Sequence, residues 1–189
     1  MKSRAEAAEA TGGRILDVAV ELFTDRPFEE VSLDDVADAA GVATRTVIRR
    51  FGSKEELFVT SMERARDEAI AQRDRAPVGD VPGIVSNVIE HYERWGDNRL
   101  RLIAQEEKIA VIAENVRGGR RYHRNWVARV FAPQLGELKG RERERRIVEL
   151  ILLTDVFTWR LLRRDLGLSR AETQRTIVEL VDAIAEERK

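Results

Sequence analysis

Four basic side chains with no acid among them mark one short segment of the sequence. Arg45, Arg49, Arg50 and Lys54 give residues 44–54 a charge of +4, whereas the whole chain has 33 basic and 34 acidic residues. Guanidinium groups bind phosphate oxygens, and they also donate paired hydrogen bonds to O6 and N7 of guanine. The segment is therefore a candidate nucleic-acid contact. Such a contact must be local, because the chain as a whole is not basic.

Three of these basic residues, Arg45, Arg49 and Arg50, fall on the second of two short helices that the sequence predicts. Ser32, with Asp35 three residues later, forms a capping box that opens a helix running to Ala40. Gly41 ends that helix, since glycine readily adopts the left-handed conformation of a C-cap. A second helix covers 44–50. Two short helices joined by a tight glycine turn are typical of a helix-turn-helix motif, whose second helix enters the major groove of DNA.

Helix geometry predicts which side of this second helix faces outward. If Val47 is buried, Thr44, Arg45, Ile48 and Arg49 lie on the exposed side. We expect Arg45 to contact guanine, and Thr44 or Thr46 to meet a phosphate or a thymine methyl. The other basic side chains are expected to contact phosphates. The predicted DNA-contacting residues are Ser32, Thr44, Arg45, Thr46, Ile48, Arg49, Arg50 and Lys54.

Helical periodicity continues along nearly the whole chain, which predicts an all-α fold of nine helices. Residues 77–83, with two prolines and two glycines, predict a linker after the fourth helix. The domains predicted are a flexible N-terminal arm (1–13), a three-helix helix-turn-helix head (14–58) and a helical body (59–189). The predicted helices outside the motif are 14–25, 53–73, 81–95, 98–116, 120–135, 142–166 and 170–187.

Residues 14–58 resemble the DNA-binding head of the TetR family of transcriptional regulators. The resemblance is carried by RILDVAVELF, VSLDDVADAAGV, Thr46 before an apolar residue, and FGSKEELF. It implies a homodimer whose two heads occupy successive major grooves, and a body that binds a small effector and carries the dimer interface. Thr46 and Lys54 match the family pattern directly.

Several positions depart from that pattern. Arg45 stands where the family usually has glycine, and Ile48 where it has a tyrosine that contacts phosphate. Arg50 replaces a frequent histidine or tyrosine, Ala43 a serine, and Pro27 a glycine. We therefore expect this head to hold its phosphates through arginine more than through tyrosine.

The resemblance predicts a ligand-responsive repressor that binds a palindromic operator as a homodimer through residues 44–50. Two alternatives stay open, a transcriptional activator and a helical interaction module without catalytic activity. The implied partners are double-stranded DNA and a small effector, apolar or amphipathic. An apolar effector is expected because ligand pockets are mostly apolar with a few polar anchors.

The penultimate helix predicts the dimer interface. Residues 147–162 are apolar around the whole helix, so that helix must be covered on more than one side. A single helix buried in its own subunit is the alternative. The predicted interface residues are Ile147, Leu150, Ile151, Thr154, Leu161, Ile177, Leu180, Val181 and Ile184.

Aromatic residues and two histidines in the body are the candidates for an effector pocket, although most aromatic residues at helical spacing belong simply to a core. A glutamate would matter only if it pointed inward. The predicted pocket residues are His91, Tyr92, Trp95, Ile103, Glu106, Trp126, Phe157 and Trp159, with His123 also considered.

The sequence contains few of the residues and motifs that indicate an enzyme. It has no cysteine and only two histidines, and it lacks the Glu-x-x-His pairs of di-iron bundles as well as P-loop and G-x-S-x-G motifs. We expect no catalysis, no metal and no cofactor. No apolar run is long enough to span a membrane and no signal peptide is apparent, so we expect a cytoplasmic protein.

Overall fold

The structure is a computed structural model that describes residues 4–186, and these are helical almost throughout. Within that range there is no strand, which confirms the all-α prediction. Counting the interrupted segment 140–165 as one helix gives the nine helices predicted. The helices are α1 (Arg4–Asp25), α2 (Leu33–Ala40), α3 (Thr44–Phe51), α4 (Lys54–Arg73), α5 (Val81–Ile103), α6 (Ala110–Val130), α7 (Ala132–Leu135), α8 (Gly140–Thr154), α9 (Val156–Arg160) and α10 (Arg170–Glu186).

The chain forms two compact units that differ from the predicted domains. The first unit contains residues 1–69 and 101–116, and the second contains 70–100 and 117–189. Leu102, Ile112 and Val116 are buried in the same core as the helix-turn-helix motif. Periodicity shows that a helix has an apolar face, but not which core that face joins, so the sequence assigned these residues to the body.

The first helix begins much earlier than predicted. We expected a flexible arm over residues 1–13, but α1 begins at Arg4. Residues 1–3 lie outside the described range. The segment AEAAEA is rich in alanine and glutamate, which are strong helix formers. It therefore extends the amphipathic helix through Gly12 and Gly13 to Asp25.

Three phenylalanines form the centre of the first unit. The ring centroids of Phe23, Phe28 and Phe58 lie 5.3–5.5 Å apart, in one stacked and two edge-on pairs. Leu57 is fully buried in the same core, and the half-buried Phe51 packs against it. Edge-on and stacked pairs each contribute about 0.5–1.5 kcal/mol beyond area burial.

Capping boxes open three of the helices, and the box at Ser32 confirms the prediction made for α2. At α2 and α4 the Ser32–Asp35 and Ser53–Glu56 pairs each exchange two hydrogen bonds of 2.8–3.1 Å. At α10, Ser169 and Glu172 do the same, at 2.8 and 3.2 Å. Each box satisfies two N–H groups that a helix start leaves without a partner.

Two predicted helix breaks in the body are wrong. We expected an interruption near residues 96–97 and a helix start after Gly118 and Gly119, but α5 and α6 continue through these positions. A β-carbon at Gly96 would lie 2.6 Å from the Trp159 ring. This glycine therefore allows close packing of the helix against a buried indole, and that packing outweighs the low helix propensity of glycine.

The predicted helix 142–166 is interrupted at Asp155. This residue is extended (φ −79°, ψ 155°), and its carboxylate accepts a 2.9 Å hydrogen bond from the Phe157 N–H. It thereby caps α9, which passes into a π-helical turn at Leu161–Asp165.

None of the described helices is long and apolar enough to cross a bilayer.

Gly96 and Gly118 have different surroundings, so substitution by alanine is expected to have opposite effects on stability at the two positions. Gly96→Ala should destabilise the protein by about 1–3 kcal/mol, because the buried Trp159 ring cannot yield without strain. Gly118→Ala should stabilise it by about 0.5–1 kcal/mol, because the nearest atom to an added β-carbon is 3.8 Å away and alanine favours helix. Urea denaturation measures both. Shifts of the same sign would contradict this account of α5 packing.

Candidate nucleic-acid interface and a buried basic cluster

The turn between α2 and α3 is built as the sequence predicted. Gly41 has φ 65° and ψ 41°, and its N–H donates to the carbonyls of Ala37 and Asp38. The Val42 N–H donates to the Ala37 carbonyl at 2.9 Å. Val47 is 0% exposed, which fixes the rotation of α3 about its axis. The two helices thus form the predicted helix-turn-helix arrangement.

The opposite side of α3 is open to solvent. Arg45, Ile48 and Arg49 are exposed, with Ile48 at 50%. Within the described part of the chain, neither Arg45 nor Arg49 has a hydrogen-bond or ion-pair partner. Two unpaired guanidinium groups next to an exposed apolar side chain form a surface suited to DNA, which offers phosphate oxygens and thymine methyl groups.

The Thr44 hydroxyl, which was predicted to be available to DNA, already has a hydrogen-bond partner within the protein. Its hydroxyl donates a 2.5 Å hydrogen bond to the carboxylate of Asp34, and this bond joins the starts of α2 and α3. The hydroxyl is therefore not available to a phosphate, although the methyl group remains. Thr46 is half-buried beside Arg49 and Arg50, where α3 faces Ala8 and Thr11 of α1.

Three other predicted contact residues are held by the protein itself. The Arg50 guanidinium lies over Gly12 of α1, where an added β-carbon would be 2.2 Å from Nη2. The Lys54 ammonium lies 4.4 Å from the centre of the Phe28 ring and 3.4 Å from the Glu29 carbonyl. Ser32 serves as the N-cap of α2. The candidate surface for DNA that remains is therefore centred on Arg45, Ile48 and Arg49.

A three-helix unit with this turn and an unpaired basic face defines the class of helix-turn-helix DNA-binding domains. Residues 15–60 match the family described as bacterial regulatory proteins, tetR family. This match confirms, for this segment, the resemblance that the sequence predicted.

The chain is similar to several regulators. It is 32% identical over 95 residues to the HTH-type transcriptional activator FasR of Mycolicibacterium smegmatis, covering 50% of this chain and 36% of FasR. The chain thus spans about a third of the length of that relative. A tetR-family transcriptional regulator from Streptomyces coelicolor shares the fold, with a TM-score of 0.72, 19% identity and coverage of 96% of this chain and 84% of that one. A regulator structure from Saccharomonospora viridis in complex with choline also shares it, with TM-score 0.66, 17% identity and coverage of 92% and 96%.

The predicted pocket residues do not all lie together. Ile103 and Glu106 belong to the first unit, where Ile103 packs against the head core. Phe157 is 51% exposed, so it does not line an interior pocket. The remaining predicted residues lie in the second unit, where Tyr92, Trp126 and Trp159 are buried and His91 and Trp95 are half-buried.

Most of the predicted dimer residues are also misplaced. Five of them are buried within their own subunit and are not available to a partner. These five are Ile147, Leu150, Thr154, Ile177 and Val181. Ile151 and Ile184 are half-buried, and only Leu161 and Leu180 are exposed. The apolar residues that face solvent on α8, α9 and the segments after them are Val148, Leu152, Phe157, Leu161, Leu166 and Leu180.

The second unit buries an arginine that the sequence did not single out. Arg73, the last residue of α4, is 2% exposed, and its guanidinium carbon lies 3.6 Å from the centre of the Trp126 ring. Its Nη2 lies 3.0 Å from Nδ1 of His123, and its Nε has no hydrogen-bond partner. Among the described residues no carboxylate pairs with it. In a chain with 33 basic residues, no sequence signal distinguishes this one from its solvated neighbours.

His123 connects Arg73 to Thr154. The Thr154 hydroxyl donates to the Leu150 carbonyl at 2.7 Å, so at 3.2 Å it accepts from Nε2–H of His123. The Nδ1 lone pair of His123 is then free to accept from Arg73. This tautomer follows from the hydrogen-bond pattern. Burial and the charge of Arg73 lower the pKa of His123 to about 3, so the ring is neutral at neutral pH.

His91 and Tyr92 complete the cluster. Nδ1 of His91 is buried without a partner, and the ring centroid lies 5.0 Å from that of Trp95. Burial, followed by the charge of Arg73, lowers the pKa of His91 to about 2. The Tyr92 hydroxyl donates to the Thr154 carbonyl at 3.1 Å, and burial raises the pKa of this phenol. We refer to Arg73, His91, Tyr92 and His123 as the basic cluster.

The two histidines predict that the protein loses stability in mild acid. Their pKa values in the unfolded chain are about 6.5, well above those in the folded protein. As pH falls below 6.5, the unfolded chain therefore binds protons that the folded protein does not. The free energy of unfolding should fall by about 2–3 kcal/mol between pH 7.5 and pH 5.5, as followed by urea denaturation.

The variant His91→Phe separates the contribution of the histidines to the pH dependence of stability from that of other titrating groups. His91→Phe keeps a ring beside Trp95 and should remove about half of the pH dependence, since each histidine contributes a similar share. A wild-type stability that is the same at both pH values would contradict the neutral, buried state assigned to the histidines.

Proposed function

We propose that this chain is a transcriptional regulator that binds a palindromic DNA operator as a homodimer and responds to a small effector held by its second unit. The observation that carries the proposal is the exposed face of α3. There Arg45 and Arg49 lie unpaired beside Ile48, on a helix fixed by the burial of Val47. The match of residues 15–60 to the TetR family supports the same function.

The direction of regulation that we propose is repression relieved by the effector, which is what the family resemblance implies. The relative FasR is described as an activator, so activation is the second candidate. Both directions require the same DNA-binding helix. They differ in whether occupancy of the operator lowers or raises transcription of the adjacent gene.

Arg45 is proposed to contact guanine and Arg49 to contact phosphate. Arg45→Ala should weaken operator binding by about 1–3 kcal/mol per half-site and relax the preference at one base pair. Arg49→Ala should weaken binding to all sequences alike, and it should lower the slope of log K against log salt by about 1. Fluorescence anisotropy with the duplex upstream of the protein's own gene measures both effects.

The control is Arg141→Ala, which removes an exposed arginine from α8 in the second unit. It should bind the duplex as the wild type does. Equal losses for Arg45→Ala on every sequence tested would contradict its proposed contact with a base. Unchanged binding by both α3 variants would contradict α3 as the DNA-binding helix.

The homodimer is proposed to form through the exposed apolar residues of the second unit. Leu152 on α8 is 65% exposed, and Val148, Phe157 and Leu161 are about half exposed. Exposed apolar patches of this kind typically mark protein–protein contacts. The family resemblance, which places the dimer contact on the last helices, makes a second copy of this chain the proposed partner.

Leu152→Glu should convert the protein to a monomer in sedimentation velocity at micromolar concentration, because a carboxylate buried in an apolar interface without a partner is costly. Val78→Glu is the matched control. Val78 is similarly exposed, at 58%, but lies in the loop between α4 and α5. A wild type that sediments as a monomer, or a Leu152→Glu variant that remains a dimer, would contradict this interface.

A further inference from the structure

The basic cluster has an imbalance of charge that nothing within it corrects. Arg73 is buried and stays protonated, because a guanidinium does not lose its proton in proteins. After burial, the positive charges of Arg73 and Arg99 also lower the pKa values of both histidines. A buried charge without a counterion is strongly unfavourable. Stacking on Trp126 and a hydrogen bond to a neutral imidazole offset only part of that cost.

Two acids close in sequence to Arg73 and Thr154 are engaged elsewhere. Asp74, the neighbour of Arg73, pairs with Arg129 at 2.5 Å and accepts from the Tyr122 hydroxyl at 3.3 Å. Asp155, next to Thr154, accepts from the Phe157 N–H as the cap of α9. Neither carboxylate pairs with the guanidinium of Arg73.

Two polar atoms of the cluster are buried without a partner, Nε of Arg73 and Nδ1 of His91. Nε of Arg73 always carries a hydrogen, and Nδ1 of a neutral histidine carries one in one of its two tautomers. Two N–H groups match the two oxygens of one carboxylate. A phosphate has more acceptor oxygens and a larger charge than these two donors would satisfy.

We propose that the basic cluster of the second unit binds the carboxylate of a small organic acid, through Nε–H of Arg73 and Nδ1–H of His91. This inference rests on the proposed function in one respect, since it names the chemical class of the effector. The half-buried indole ring of Trp95, whose centroid lies 5.0 Å from that of His91, provides apolar surface for the rest of the ligand. His91 and Trp95 are half-buried, so the cluster is not sealed on the α5 side.

The cationic cluster also distinguishes this chain from its choline-bound structural neighbour. That neighbour holds a quaternary ammonium ion. In this chain an ammonium ligand at the cluster would meet Arg73, whose charge would repel it. An anionic ligand is therefore favoured over a cationic one.

The test compares three probes with the same alkyl chain and different head groups, namely octanoate, octanol and octylammonium, with inorganic phosphate as a fourth. Isothermal titration calorimetry of the full-length protein measures the affinities. Octanoate should bind, and octanol and octylammonium should bind at least about tenfold more weakly, because they lack charge-assisted hydrogen bonds to the cluster. Phosphate alone should bind more weakly than octanoate.

The variants are Arg73→Met, His91→Phe and the matched control Arg75→Met, which removes an exposed arginine two residues further along the chain. Arg73→Met should weaken octanoate binding about tenfold to a hundredfold, and Arg75→Met should leave it unchanged. Arg73→Met should also unfold at an equal or higher temperature than the wild type without ligand, because it removes an uncompensated buried charge. If Arg73 were purely structural, Arg73→Met would unfold at a lower temperature than the wild type. His91→Phe tests the second donor if Arg73→Met does not fold.

Equal binding of octanoate and octanol, equal binding of octanoate by the wild type and Arg73→Met, a preference for phosphate, or no binding of any probe would overturn the proposal. Operator binding is measured on the same samples. Operator binding without octanoate binding would refute the carboxylate site and leave the proposed function intact. Octanoate binding without operator binding would support the site and refute the regulator.

Discussion

The burial of Val47 is the constraint on which the DNA-facing surface depends. It is the only residue of α3 that is buried completely, so its position sets the rotation of the whole helix. The left-handed turn at Gly41 and the hydrogen bond between Thr44 and Asp34 fix where α3 begins. The phenylalanine core anchors α1 and α4, the helices before and after the motif. Arg45, Ile48 and Arg49 are exposed as a consequence of this packing.

A second constraint operates in the second unit, where a guanidinium is enclosed without an acid. Side chains around it form a consistent hydrogen-bond chain from Arg73 through His123 to Thr154. This chain requires a neutral His123, and burial of the ring keeps it neutral. Sites with strongly perturbed pKa values are frequently functional rather than structural. The cluster therefore carries the stability cost of a buried charge, which a bound anion would offset.

Local signals predicted the first unit well, because its structure is encoded by local chemistry. Capping boxes, Gly41 and the spacing of Val47 from the arginines identify the motif without reference to distant residues. The roles of Arg50 and Lys54 were not predictable in this way. Arg50 lies over Gly12 and Lys54 over Phe28, and both contacts depend on how α1 and the following turn pack.

The second unit was predicted less well, because its features arise from contacts between helices. The sequence predicted that the helix would be interrupted near Gly96, but this glycine instead allows the helix to pack closely against Trp159. Asp155 is one polar residue in a largely apolar segment, yet it interrupts the helix there by capping α9. Arg73 carried no signal at all, since only burial distinguishes it from a solvated arginine.

The central claim is that α3 recognises DNA sequence, and selection from a pool of random duplexes tests it most directly. The purified protein is incubated with the pool at a salt concentration that suppresses non-specific binding, and the retained duplexes are sequenced. The account predicts an inverted repeat whose half-sites are about one helical turn (~34 Å), or a multiple of it, apart, with a guanine at the position that Arg45 contacts. Retained sequences as diverse as the starting pool would contradict it.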